Sequence, residues 1–304
     1  VTAPGREGRA ERFFCADAAR VRGDPLAGTA PFGSVWVLVE YRRSWPTNGF
    51  DGLALDPATK ARVFTAAQAL RARILLIRRH GRRRPEEPTR WAVLRHDASG
   101  DLHQQWGVWQ RDEDLAQIAT ALETPGKPDR TPVILVCAHG RHDACCAVRG
   151  RPVGRALSAR WPDLVWECTH VGGDRFAANL VLVPDGVYYG NLDAAASLTV
   201  VEEHLADRIH ADHLRGYTTL FPPQQAAVAA ALARFGPAGR YDYAVTGTVR
   251  EDTTWHIRLL GRPPHPPHLE VRVRAHRTPP RQLTCRGAAR SSAVVYEAVS
   301  VRVG

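Results

Sequence analysis

Short unbroken apolar runs recur along the chain between stretches of helical spacing. Residues 35–40 (VWVLVE) form the first such run, compact and rich in β-branched side chains, which predicts a buried strand. Residues 56–72 follow with Asp56 at an N-cap and Pro57 at the first helical position, the signature of a helix start. A second strand is expected over 73–79 (RILLIRR), and two more over 90–96 and 101–109, joined by the hairpin signal DASG. An acidic-started helix over 112–123 closes the series, and the polar segment 124–131 (TPGKPDRT) reads as a linker. The same order then returns. A strand is expected over 132–138, a helix over 151–161, a strand over 163–170, a hairpin around Pro184-Asp185-Gly186, and a helix over 193–207 with Asp193 as its N-cap.

Two successive β-α-β-β-β-α series match the core order of the thioredoxin fold. The expected fold class is therefore α/β, with tandem thioredoxin-like units followed by a small antiparallel β appendage. The expected boundaries are an N-terminal arm over 1–29, a first unit over 30–125 serving as scaffold or docking surface, and a second unit over 131–215. Residues 216–304 would add a helix (222–235) and four strands; in HLEVRVRAH, Leu269, Val271 and Val273 alternate with Arg272 and Arg274, as a one-sided sheet requires.

At 304 residues and 44% apolar composition, the chain can bury a sizeable core. No apolar run approaches the ~20 residues of a membrane span, and the first residues lack a signal-peptide stretch, so a cytoplasmic protein without a membrane partner is expected. The formal charge of +10 is almost all arginine, Lys60 and Lys127 being the lysines. A basic balance favours acidic partners. The densest run, 78–84 (RRHGRRR), has no aromatic ladder of the kind single-strand binders use, so nucleic acid is not expected. It reads as a solvated loop or as a docking surface for an acidic redox partner.

The chemistry concentrates in 137–174. Four of the six cysteines fall there, with His139, His142, His170 and Asp174. Soft thiolates and imidazoles gathered at the ends of predicted elements point to a metal or redox site. Cys137 ends a strand at the edge where ligands of open α/β folds sit. Asp143 can cap a helical turn carrying Cys145 and Cys146, and a helix N-terminus favours thiolate. Cys168 and His170, two apart on one strand, face the same side. An iron–sulfur cluster or a zinc ion suits such donors. Thiol–disulfide exchange is disfavoured: Cys145-Cys146 is vicinal rather than CxxC, and DRFAANLVLV lacks the proline that precedes the third strand of thioredoxin-type sites.

The motifs CAHGRHDACCA and WECTHVGGDRFAANLVLVPDGVYYGNL, with CADAARVRGDPLAGTAP at 15–31, resemble the sucrase/ferredoxin-like family over about residues 13–215. Despite that name, no paired-carboxylate motif of a sugar hydrolase is present. The resemblance implies a thioredoxin-like fold and a [2Fe–2S] cluster held by two cysteines, matching Cys137 and Cys146, and by two histidines of an HxGGH motif. His170 matches the first histidine, and Asp174 replaces the second. Asp174 is expected as fourth ligand, Cys168 is the alternative, and Cys145 can compete with Cys146. Cys15 belongs to the family's N-terminal motif, either approaching the site or packing. Cys285 is assigned a structural place in the appendage. His139 and His142 are read as donors to the site's sulfurs or as exposed loop residues, Trp166 and Phe176 as core, and His204, His210 and His213 as surface. The leading function is electron transfer or redox sensing. The alternatives are an enzyme of specialised metabolism using the same site on a small molecule, and a zinc-bound or metal-free binding module.

Overall fold

The structure is a computed structural model and describes residues 13–81, 87–97 and 100–304. Helix α1 (Cys15–Arg22) precedes β1 (Val35–Glu40), α2 (Pro57–Ala69), β2 (Arg73–Arg78), β3 (Thr89–His96), β4 (Leu102–Trp109), α3 (Gln117–Glu123) and the two-residue β5 (Lys127–Pro128). The second series is β6 (Val133–Cys137), α4 (Ala144–Arg160), β7 (Val165–Cys168), β8 (Leu180–Val183), β9 (Val187–Tyr189) and α5 (Ala194–Leu205). Strand β10 (Leu214–Tyr217) and α6 (Pro222–Phe235) lead to β11 (Tyr243–Glu251), β12 (Thr254–Gly261), β13 (His268–Arg277) and β14 (Val294–Val303).

The strands form one mixed ten-stranded sheet, ordered β10-β9-β8-β6-β7-β2-β1-β3-β4-β5, and a separate antiparallel sheet of β11 to β14. Each half of the large sheet repeats one plan. A parallel pair (β1 with β2, β6 with β7) is extended on one side by an antiparallel strand (β3, β8) and its hairpin partner (β4, β9). The expected units are thus not separate sheets. They fuse where β2 runs antiparallel to β7, with Ile77 opposite Cys168 and Arg78 opposite Glu167. The sheet also curls. Trp106 of β4 stacks on Trp166 of β7 at 6.2 Å, although β3, β1 and β2 lie between them in strand order. The concave side encloses a core from both halves, including Trp36, Leu38, Ile77, Leu94, Leu135, Cys137, Val181 and Tyr188. Helices α2 and α3 cover the first half with a second cluster, and α4, α5 and α6 cover the second half with a third that extends onto β12 and β13.

Local chemistry explains most boundaries. The side chains of Asp56, Asp143 and Asp193 accept hydrogen bonds from the amides of Thr59, Cys145 and Ala196, so each caps its helix. Helix α4 corrects the expectation of a separate helix over 151–161: it starts at Ala144 and runs through Pro152. The carbonyl that Pro152 leaves without a donor belongs to Val148, on the exposed face of the helix. Gly150 faces β6, where a Cβ would overlap the Cys137 carbonyl oxygen.

The arm expected over 1–29 is also corrected. Residues 1–12 lie outside the described residues, but from Cys15 the chain is helical, with Cys15, Ala16 and Ala19 buried against the short 3-10 turn Asp174–Phe176. Of the basic run, 82–84 lie outside the described residues. Arg78 and Arg79 are engaged internally: Arg78 with Glu167 at 2.9 Å, and Arg79 with the carbonyls of Pro162, Asp163 and Val165 and the Trp166 ring. No helix among the described residues is long and apolar enough to cross a membrane.

Candidate metal centre

Parallel strands β6 and β7 end in register, Cys137 opposite Cys168, at the carboxyl edge where α4 begins. The Asp143 cap fixes the first turn of α4. Successive helical residues diverge by about 100°, so Cys145 and Cys146 leave the backbone in different directions. Cys146 meets the loop after β7, and Cys145 meets α1 and the loop between β13 and β14.

That loop, His170-Val171-Gly172-Gly173-Asp174, reverses through two left-handed glycines, Gly172 at φ 93° and Gly173 at φ 80°, a region that side chains disfavour. Arg215 of β10 holds the turn from beneath. Its buried guanidinium donates to the Gly172 carbonyl (2.8 Å), Asn179 Oδ1 (2.9 Å), and the Thr29 carbonyl and hydroxyl (2.6 and 3.0 Å). A Cβ on Gly173 would stand 2.5 Å from that guanidinium. Asn179 Nδ2 donates to the Gly173 carbonyl at 2.9 Å. The turn carries Asp174 back over His170, with 3.0 Å between Asp174 Oδ1 and His170 Nδ1.

The Cys146 thiol donates to Asp174 Oδ1 at 3.2 Å and lies 3.9 Å from His170 Nδ1. The ligand atoms of Cys137, Cys146 and His170 all lie within 4.8 Å of one another, and those of His142, His170 and Asp174 form an overlapping group of the same size. Contact with the Cys146 side chain, with a smaller part from His170, outweighs burial and holds Cys137 well below the usual thiol range, while the same contact, burial and Asp174 push Cys146 up. Burial would lower His170, but Asp174 and Cys137 overcome it and raise it to about 9. Burial would raise Asp174; the His170 contact brings it below its usual value. The site thus gathers thiol, imidazole and carboxylate groups at one partly buried point, groups that bind a metal cation by giving up their protons.

His139 and His142 build the wall. His139 is buried, and burial lowers its pKa. Its Nε2 donates to the Pro46 carbonyl at 2.8 Å, leaving Nδ1 to accept from the His170 amide at 3.3 Å. The His142 ring stacks on His170, with centroids 3.8 Å apart, and its Nε2 is 3.9 Å from Asp174.

Two residues of the sequence-derived site lie elsewhere. Cys168 is fully buried in the concave core and belongs to neither donor group; burial raises its pKa well above the usual thiol value. Cys145 groups with Cys15, Asp143 and Cys285. Trp166 and Phe176 are buried, as expected of core residues. His204 corrects the surface assignment: it is buried between Tyr189 Oη (2.8 Å) and Asp185 (3.1 Å). His213 is half-buried on the Gly190 carbonyl, while His210 pairs with Glu203 at the surface. Sequence reasoning missed Arg215, Asn179 and Pro46. Only the adjacent glycines hinted that something approaches the 170–174 backbone closely.

Curled sheet, capped helix and converging donors define a mixed α/β protein with a possible Cys/His metal site at the carboxyl edge of a parallel strand pair. The family model described as Sucrase/ferredoxin-like matches residues 26–216, more than half of the chain, and the chain belongs to this family. No curated protein and no solved structure matches it.

Proposed function

We propose that the protein is a thioredoxin-like [2Fe–2S] protein of electron transfer or redox sensing, its cluster held by Cys137, Cys146, His170 and Asp174. One observation carries the reading: two sulfurs, an imidazole nitrogen and a carboxylate oxygen converge at one buried edge. The donors fall into a sulfur pair and a nitrogen–oxygen pair, a division that suits two irons of unlike ligation. When bound, the cluster would supply one-electron chemistry. The protein's own part is to keep Cys137 as thiolate, to orient His170 through His139, and to hold the Gly-Gly turn with Arg215. The repeated strand plan of the two halves supports the thioredoxin-like description, and the net charge of +10 supports an acidic redox partner.

A second reading has an observation of its own. Cys137, Cys146 and His170 offer donor atoms within 4.8 Å of one another, and Asp174 lies 3.2 Å from Cys146 and 3.0 Å from His170, spacings that suit the shell of a single ion, whereas a two-iron cluster would need the donors to part. Zinc is that ion. A cavity of about 760 Å³ beside Arg79, Trp166 and Glu167 is lined by none of the four donors, so it does not favour a small-molecule enzyme acting at this site. Visible spectra of anaerobically purified variants test the assignment. A red-brown chromophore lost in Cys137→Ser and Cys146→Ser but kept in Cys168→Ser is expected. Its loss in Cys168→Ser, with Asp174→Ala unchanged, would move the fourth ligand to Cys168.

A further inference from the structure

Three cysteines outside the proposed centre meet at one point. Cys15 comes from the first turn of α1, Cys145 from the first turn of α4, and Cys285 from the loop between β13 and β14. The Cys145 and Cys285 sulfurs are 3.4 Å apart, and those of Cys285 and Cys15 are 3.6 Å apart. Asp143 completes the group, with both carboxylate oxygens 3.7 Å from the Cys15 sulfur and all four ligand atoms within 4.8 Å of one another. All six cysteines are free thiols, so no disulfide accounts for the convergence. We propose that Cys15, Cys145, Cys285 and Asp143 form a second metal site that takes one zinc ion and ties the N-terminal helix, α4 and the C-terminal sheet together.

The geometry is that of a tetrahedral shell about to be filled. Zinc–sulfur bonds of about 2.3 Å place sulfurs about 3.8 Å apart, close to the two separations observed. Backbone amides already serve the sulfurs: Ala16 N–H points at Cys145 Sγ (3.4 Å) and Cys15 N–H at Cys285 Sγ (3.5 Å), contacts that favour thiolates. Asp143 is fixed by the amides of Cys145 and Cys285, each donating to one oxygen at 2.8 Å, and each oxygen keeps a lone pair. Three thiolates and a carboxylate cannot share this buried space without a cation. Thiolate-rich donors select zinc over magnesium or calcium. On binding, three Zn–S bonds and one Zn–O bond to Asp143 form as the ion sheds its bound water, the three thiol protons leave to solvent, and no electron is transferred. Cys145 and Cys146, adjacent in sequence, thereby serve two separate sites.

The test is metal counting together with alkylation footprinting of the full chain, read separately from any iron. Cys15→Ser and Cys285→Ser should each bind one zinc equivalent fewer than wild type, and Cys168→Ser none fewer. Cobalt substitution should give thiolate-to-cobalt charge-transfer absorption that drops in the same two variants, while iron and sulfide stay unchanged. Should a variant fail to fold, wild-type protein decides: with zinc, Cys15, Cys145 and Cys285 should resist alkylation together, and a chelator should open Cys285 first. Unchanged zinc in Cys285→Ser, equal alkylation with and without chelator, or a disulfide among the three in the intact mass would overturn the proposal.

Discussion

Asp174 stands where the resemblance to the family leads one to expect a second histidine, and its contacts show what a carboxylate does there. Its carboxylate accepts from Cys146 and pairs with His170, so it adds negative charge beside the sulfurs where an imidazole would not. Asp174→His should therefore retain the proposed cluster and raise its potential, measured by redox titration; a lower potential would contradict the assignment. Arg215 carries a different load. Its truncation to alanine would strand buried acceptors on Thr29, Gly172 and Asn179, each costing ~1–3 kcal/mol when unpaired. Urea unfolding of metal-free Arg215→Ala should show a loss of about 3 kcal/mol or more; a loss below 1 kcal/mol would mean the turn holds itself. At this scale Cys137, Cys146, His170 and Asp174 were legible because they crowd one stretch of sequence. The partners of Cys145 were not, because Cys15 lies 130 positions before it and Cys285 lies 140 after it, and no local pattern encodes such contacts.

Helix α4 sets the spacing between the sulfurs, and Gly150 lets it lie against β6. In an exposed helix interior, Gly→Ala would stabilise by ~1 kcal/mol. Here the added methyl meets the Cys137 carbonyl, so Gly150→Ala should instead destabilise by ~1–3 kcal/mol and weaken metal retention, readable in the midpoint of thermal unfolding and in metal content. A raised midpoint would show that α4 can shift freely. Most elements were readable from apolar runs and Asp or Pro start signals: β1 falls on residues 35–40, and all four C-terminal strands appear. The start of α4 was misjudged because Pro152 mimics a first-turn proline, while the cap that decides the matter, Asp143, lies nine residues earlier. Strand β10 was missed because LRGY is too short and too polar to stand out; what makes it a strand is its pairing with β9.

For the whole molecule, the repeated element order was visible in sequence, but the fusion of the halves was not, since β2 and β7 meet through only two residue pairs that no periodicity announces. The junction between the two sheets offers a test of its own. His96, at the end of β3, is buried near Tyr241, and burial together with the Arg240 charge lowers its pKa below 6.5. Between its folded value and ~6.5 the unfolded chain binds more protons, so this contribution to stability is complete above pH ~6.5 and is lost as the pH falls below it. Unfolding curves between pH 5 and 7.5 should show that loss, and His96→Gln should flatten it; parallel curves for both proteins would remove His96 from the account. The proposed redox centre is tested most directly by measuring iron, acid-labile sulfide and zinc in protein purified without oxygen. The account predicts about two irons and two sulfides per chain, both abolished by Cys146→Ser. Protein without iron or sulfide, whose zinc falls by one equivalent in Cys146→Ser, would contradict it.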